Sequence, residues 1–183
     1  EAALSDGRPF SAMELVDGLP ITQYAKGRRL TLRDRLELVA KVCDALHHAH
    51  VKGVIHRDIK PANVLVDASG QPRVLDFGIA RLTENSAAPM TGAGQMVGTL
   101  AYMSPEQTGA DPSKVDARSD VYAVGVVLYE LVCGKLPLSV NDAAVVDAVA
   151  RIQSQEPDRP RQIDSSVPED VDTIVMRALE KDG

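Results

Sequence analysis

Residues 121–133 read VYAVGVVLYELVC, a run apolar on nearly every face of a helix and interrupted only by Glu130. A helix hydrophobic all round has no solvent side and must lie at the centre of a fold, covered by other elements. It is too short to span a bilayer, and it carries a carboxylate. Whatever else the chain forms must wrap this segment.

The wrapping elements can be placed from pattern. Thr31-Leu32-Arg33-Asp34 has the spacing of a capping box with Asp in the acidic slot. Leu32, Leu36, Val39, Ala40, Cys43 and Leu46 follow at intervals of three and four, predicting an amphipathic helix that ends before Gly53. Residues 9–16 (PFSAMELV) read as a strand running into a turn at Asp17-Gly18. Residues 64–66 and 73–75 are short β-rich runs joined by the turn sequence 67–71 (DASGQ), so a hairpin is expected. Residues 81–98 are polar, contain Pro89, Gly92, Gly94 and Gly98, and form a long loop, which in a compact domain is usually functional or disordered. Asn141 is expected to cap a helix reaching about Gln153, and Pro168 suits the first turn of a helix from Glu169 to Lys181.

Composition limits the chemistry. The 183 residues are 44% apolar but only 3% aromatic, so the core is aliphatic and Ala-rich. A net charge of −6 argues against nucleic-acid or anionic-membrane binding, which needs a basic surface. Cys43 and Cys133 lie in apolar helical patterns and read as buried free thiols. Nothing resembles a secretory leader or a membrane span, so a soluble, cytoplasmic segment is expected.

The chemistry-bearing stretch is 54–65, VIHRDIKPANVL. Asp58 and Asn63 are five residues apart with Lys60 between them, and the hairpin returns the chain to Asp76. Two acids, an amide and a cation can then converge. Hard oxygen ligands of this kind suit Mg²⁺, which binds together with phosphates. A cation beside them can neutralise a transferring phosphoryl group. An acid beside an acceptor hydroxyl can orient it and take its proton. Exposed loop charges would be the plain alternative for any one of these residues.

Taken together, the motifs resemble the eukaryotic-type serine/threonine protein kinases, in their bacterial form. His56-Arg57-Asp58-Ile59-Lys60-Pro61-Ala62-Asn63 resembles the catalytic loop, Asp76-Phe77-Gly78 the metal-binding turn, and Ser104-Pro105-Glu106 the Ala-Pro-Glu motif. Asp120-Val121-Tyr122-Ala123-Val124-Gly125 resembles the opening of the family's central helix. The implied fold is α+β and protein-kinase-like: a mainly α-helical large lobe with a short β-hairpin and the last strand or strands of the small lobe. Residues 1–17 would be that strand and the hinge, and 18–183 the large lobe, with an activation segment at 76–106.

The resemblance implies roles. Asp58 would be the base, Lys60 would contact the γ-phosphate of ATP, and Asn63 and Asp76 would hold Mg²⁺. Thr99 would bridge Asp58 and Lys60 beside the acceptor. Met13 would guard the adenine pocket, the Glu14 carbonyl and Val16 N–H would bond adenine, and Leu65 would form the floor. Asp120 would brace the catalytic-loop backbone. Arg57 would pair with a phosphate on the 81–98 loop, for which Thr91 is the candidate, since Gln95 occupies the position often phosphorylated in relatives. The expected partner is a protein presenting a Ser or Thr hydroxyl, and any dimer is expected through the small lobe. A membrane anchor would belong to the parent polypeptide outside this segment.

Three other features are weaker. His47, His48, His50 and His56 face different directions or belong to the catalytic loop, which disfavours zinc. Residues 92–98 (GAGQMVG) have the wrong spacing for a nucleotide loop, and Val39-Ala40-Lys41, though similar to a kinase ATP-lysine strand, is mid-helix. No Gly-rich loop or strand lysine precedes Met13, so the 183 residues alone are expected to be catalytically silent, and Glu106 is expected to be a buried carboxylate without its arginine partner. A non-catalytic binding lobe and a small-molecule phosphotransferase remain open alternatives; the 99–106 segment favours a protein acceptor.

Overall fold

The computed structural model describes residues 2–5, 8–11, 15–77, 99–109, 111–140 and 143–181, the first two stretches by backbone only. Met13, Glu14, Gly78, the 81–98 loop with Thr91 and Gly92–Gly98, and Asn141 lie outside the described residues. In chain order the elements are β1 (Ala2–Ser5), β2 (Arg8–Ser11), β3 (Gly18–Pro20), α1 (Ile21–Gly27), α2 (Leu32–Val51), β4 (Val64–Asp67), β5 (Pro72–Val74), α3 (Ala117–Cys133), α4 (Val145–Ser154), α5 (Pro160–Ile163) and α6 (Glu169–Ala178). Short 3₁₀ turns occupy Pro61–Asn63, Glu106–Thr108 and Pro112–Lys114.

The apolar run forms α3, in which eleven residues are buried: Tyr129 and Val126 are fully enclosed, and every residue from Tyr122 to Tyr129 is buried. Asp116 caps the helix by accepting the Arg118 N–H at 2.8 Å, and Gly134, at φ +70°, ends it by donating to the Glu130 carbonyl. The one charge in the run, Glu130, accepts the Tyr102 hydroxyl at 2.7 Å. Burial and that bond push the Tyr102 phenol above its ordinary range, so it stays a neutral donor.

Around α3 lie α1, α2 and α6. The Thr31–Asp34 capping box forms as expected: the Asp34 N–H donates to Thr31 Oγ1 (3.2 Å) and the Thr31 N–H to Asp34 Oδ2 (3.1 Å). The face of α2 that packs is Leu38, Val39, Val42 and Leu46, so the buried stripe is rotated from the one expected. Cys43 is consequently exposed rather than buried, and Cys133 is half-buried; both thiols are free. The Arg35 guanidinium reaches the Leu131 carbonyl at 2.6 Å and ties α2 to the end of α3. Gly125 lets α6 approach closely, since a Cβ there would stand 2.8 Å from the Ala178 Cβ.

The strand pattern differs in extent. Of 9–16, residues up to Ser11 belong to β2, which pairs antiparallel with β1, whereas Leu15–Asp17 are not strand. Gly18, expected in a turn, begins β3. β3, β4 and β5 form one antiparallel sheet in that order, with Leu65 opposite Pro20 and Arg73. The expected hairpin is present, its turn held by Asp67 Oδ1, which accepts the Ser69 and Gln71 N–H groups, each at 3.0 Å. Among the described residues no helix is long and apolar enough to cross a membrane.

At the far end, Asp172 is buried and accepts the Arg159 guanidinium at 2.6 and 2.8 Å and the Arg161 N–H at 3.0 Å. Burial pushes its pKa up, but those partners outweigh it and hold the carboxyl below its ordinary range. A depressed folded pKa means the stabilisation is complete above the unfolded value, about 3.9, and is lost as pH falls through the folded one. Arg159→Ala should lower neutral-pH stability by about 1–3 kcal/mol and flatten the decline below about pH 4. Urea midpoints measured between neutral and acid pH check this; parallel curves for variant and wild type would contradict it.

Candidate active site

The loop that follows α2 is set by the helix's own ending. Gly53, at φ +73°, donates to the His50 carbonyl at 2.8 Å, and the Val54 N–H donates back to Ala49 at 3.0 Å. This paired ending reverses the chain and sends 54–60 under the start of α3. There Asp120, 1% exposed, accepts the His56 N–H on Oδ2 and the Arg57 N–H on Oδ1, both at 2.8 Å. His50 Nε2 lies 2.7 Å from the same Oδ2. Asp120 therefore holds two backbone N–H groups of the loop, with the His50 ring as its third partner.

His56 is buried and its protonation follows from its partners. Nε2 faces the Leu75 carbonyl at 2.6 Å, which can only accept, and Nδ1 faces the Asp58 N–H at 3.2 Å, which can only donate. Nδ1 thus accepts and Nε2 donates. Its edge meets Phe77 at 4.9 Å between centroids. Arg57 between these anchors has φ +68°, a conformation that costs a non-glycine residue about 1–3 kcal/mol.

Asp58 projects from this anchored backbone with its side chain 38% exposed. Lys60 Nζ donates to it at 3.0 Å and to Thr99 Oγ1 at 3.2 Å. The Asn63 amide nitrogen donates at 2.8 Å both to Asp58 Oδ2 and to the Asp58 carbonyl. With Nδ2 so engaged, the Asn63 side-chain oxygen is the atom left to meet a metal. Asn63 also receives the chain's return: its carbonyl accepts the Leu75 N–H at 2.9 Å, which sets half-buried Asp76 beside it at φ +61°. Half-exposed ion pairs such as Asp58–Lys60 contribute at most about 1 kcal/mol to folding. Their convergence organises charge rather than stabilising the fold.

Thr99 is held by burial of the residues after it. Leu100 and Ala101 enter a second apolar cluster with Leu138, Val140, Ala148 and Ile152 of the α4 region. Glu106, expected buried and unpaired, is instead half-buried and accepts the Ser119 hydroxyl at 2.5 Å. Val16 is half-buried ahead of β3, and Leu65 is half-buried in β4.

Two contributors were missed in the sequence. His50 continues the helical stripe four residues beyond Leu46, and that spacing could have placed it on the packed side. Gln107 carries no such signal. Its Nε2 donates to the Arg57 carbonyl at 2.6 Å, while its Oε1 accepts the Ser104 N–H and hydroxyl at 3.1 and 3.2 Å.

Comparison with known proteins places the chain in a family. Residues 5–183 match the family model described as "Protein kinase domain". The chain is 41% identical over 95% of its length to the probable serine/threonine-protein kinase SCO3848 of Streptomyces coelicolor, covering 25% of that protein. It is 38% identical over 94% of its length to the serine/threonine-protein kinase PknB of Mycobacterium tuberculosis, covering 27% of it. It is 41% identical over 96% to the DNA damage-responsive serine/threonine-protein kinase RqkA of Deinococcus radiodurans, covering 26% of it. The chain thus spans about a quarter of the length of these curated relatives.

Removing the Asp120 carboxylate strands two backbone N–H groups and His50. Asp120→Ala should destabilise the fold by about 2–5 kcal/mol, read as a lower urea midpoint at unchanged slope. An unchanged midpoint would show that the loop does not depend on this residue.

Proposed function

The chain belongs to the protein kinase domain family, and from that premise we propose that the polypeptide carrying it is a serine/threonine protein kinase using ATP and Mg²⁺. One observation supports this above the others: Lys60 Nζ stands between Asp58 Oδ1 and Thr99 Oγ1 while the Asn63 amide holds the other Asp58 oxygen. The base is thereby oriented, and the cation lies where a transferring phosphoryl group would need charge neutralised. In the reaction, the acceptor hydroxyl oxygen bonds to the γ-phosphorus, the bond to the ADP oxygen breaks, and the hydroxyl proton passes to Asp58.

The residues present fit Mg²⁺. Asp76 and the Asn63 side-chain oxygen are hard donors. Two protein oxygens with the remaining positions left to phosphate and water is the Mg²⁺ pattern. When bound, the ion would draw the phosphate oxygens into place and offset their charge. Adenine recognition falls to Met13, Glu14 and Val16, with Leu65 beneath, and residues 1–17 and 18–183 are read as the hinge side and the large lobe. The partner is a protein Ser or Thr hydroxyl, presented against the Thr99–Glu106 segment.

The decisive assay is transfer of γ-phosphate from Mg-ATP to dephosphorylated casein by the full-length protein. Asp58→Asn should lower turnover by on the order of 10²–10⁴-fold, and the 183 residues by themselves should give none. Asp58→Asn at wild-type rate would refute the assignment of the base, and activity of the isolated 183 residues would refute their silence. Regulation is proposed through a phosphate on Thr91 pairing with Arg57. Fragment mass spectra of the active full-length protein should carry phosphate at Thr91; its absence from a fully active preparation would overturn that route.

A further inference from the structure

The peptide unit joining Arg57 to Asp58 is the last rigid plane before the base, and both its polar ends are held. Its N–H, on Asp58, donates to His56 Nδ1 at 3.2 Å. Its carbonyl, on Arg57, accepts Gln107 Nε2 at 2.6 Å. One peptide unit earlier, the Arg57 N–H is fixed by Asp120. A peptide plane held at one end can still rotate about its Cα–Cα axis, and that rotation swings the next side chain. Held at both ends it cannot, and the Asp58 Cα–Cβ bond has one direction. This matters at a residue whose φ is +68°, because the strained conformation relaxes unless its surroundings over-determine it.

The three anchors differ in origin. His56 and Asp120 belong to the loop itself and to α3 of the core. Gln107 lies beyond the 76–106 segment, in the 3₁₀ turn Glu106–Thr108. Its own amide is oriented by Ser104, which is fully buried and donates to Oε1 through both its N–H and its hydroxyl. With Oε1 saturated by two donors, the amide can present only Nε2 to the Arg57 carbonyl. Four residues upstream of Ser104, Leu100 is packed into the second apolar cluster, next to Thr99, which bonds Lys60. Seating this one segment therefore delivers two things: Thr99 to the lysine and Gln107 to the peptide behind the base.

We infer that Gln107 is a positioning residue that acts through the Arg57 carbonyl and makes the orientation of Asp58 conditional on the seating of the 99–108 segment. The inference rests on the kinase reading. It concerns turnover and not nucleotide affinity, since among the described residues Gln107 makes no hydrogen bond to Val16, Asn63, Leu65 or Asp76. A near-attack geometry lost by an ångström can cost on the order of 100-fold, so the effect belongs in kcat.

The test uses the full-length protein with Mg-ATP and dephosphorylated casein, comparing wild type, Gln107→Glu, Gln107→Met, Gln153→Ala and Asp58→Asn. Gln107→Glu keeps the shape but sets a carboxylate oxygen against the Arg57 carbonyl, whereas Gln107→Met keeps the length and removes every bond. Gln153 contacts the same turn through Thr108, at 3.4 and 3.5 Å, without reaching the catalytic loop. Both Gln107 variants should lose at least about tenfold in kcat with KM for ATP within about twofold of wild type, while Gln153→Ala keeps wild-type kcat. Folded Gln107 variants with wild-type kcat would overturn the role. So would a loss that Gln153→Ala shares, or one that only tracks a fall in melting temperature, or two Gln107 variants that do not fold, because each makes Gln107 structural. An inactive wild type, or an Asp58→Asn as active as wild type, would instead remove the kinase reading on which the role stands.

Discussion

A single carboxylate, that of Asp120, links the two halves of this structure. It sits in the first turn of α3, where the helix dipole favours negative charge, and it is almost wholly removed from water. A buried charge without partners would cost several kcal/mol, and here two backbone N–H groups and His50 offset that cost. The two backbone bonds fix the loop bearing Asp58, and the third ties the same carboxylate to α2. The element most firmly held by the hydrophobic core thus becomes the ruler against which the reactive loop is measured.

Burial and exposure divide the work accordingly. α3 is covered by α1, α2 and α6, and the charge within its apolar run, Glu130, is answered by Tyr102. The groups assigned to chemistry are half-exposed and bonded mainly to one another. The loop tolerates two non-glycine residues with positive φ, Arg57 and Asp76, one on each side of the Asn63–Leu75 bond. Strain of this size persists only where the surroundings are rigid, and the surroundings here are α3 and the three-stranded sheet.

Most of this frame was legible in the sequence because it is local or periodic. The capping box at Thr31, the hairpin turn at Asp67 and the all-apolar α3 each follow from a few neighbouring residues and formed as expected. The short α1 was not legible: seven residues are too few to show a period, and its helix is carried by burial of Ile21 and Ala25 against distant elements. The α2 stripe was misplaced because Leu38 and Val42 pack where Ala40 and Cys43 were expected to. At the site, motif residues were legible, but their long-range partners were not. Ser119 on Glu106, and Gln107 on Arg57 across fifty residues of sequence, are contacts that no spacing announces.

The claim on which the account depends is that the loop backbone behind Asp58 is pinned to the core and does not fluctuate as a surface loop. Hydrogen exchange of the His56 and Arg57 amides, resolved residue by residue in the wild-type protein, measures this directly. The account predicts that both amides exchange as slowly as those in the middle of α3. Exchange at the rate of the exposed Ser69–Gln71 turn would contradict it.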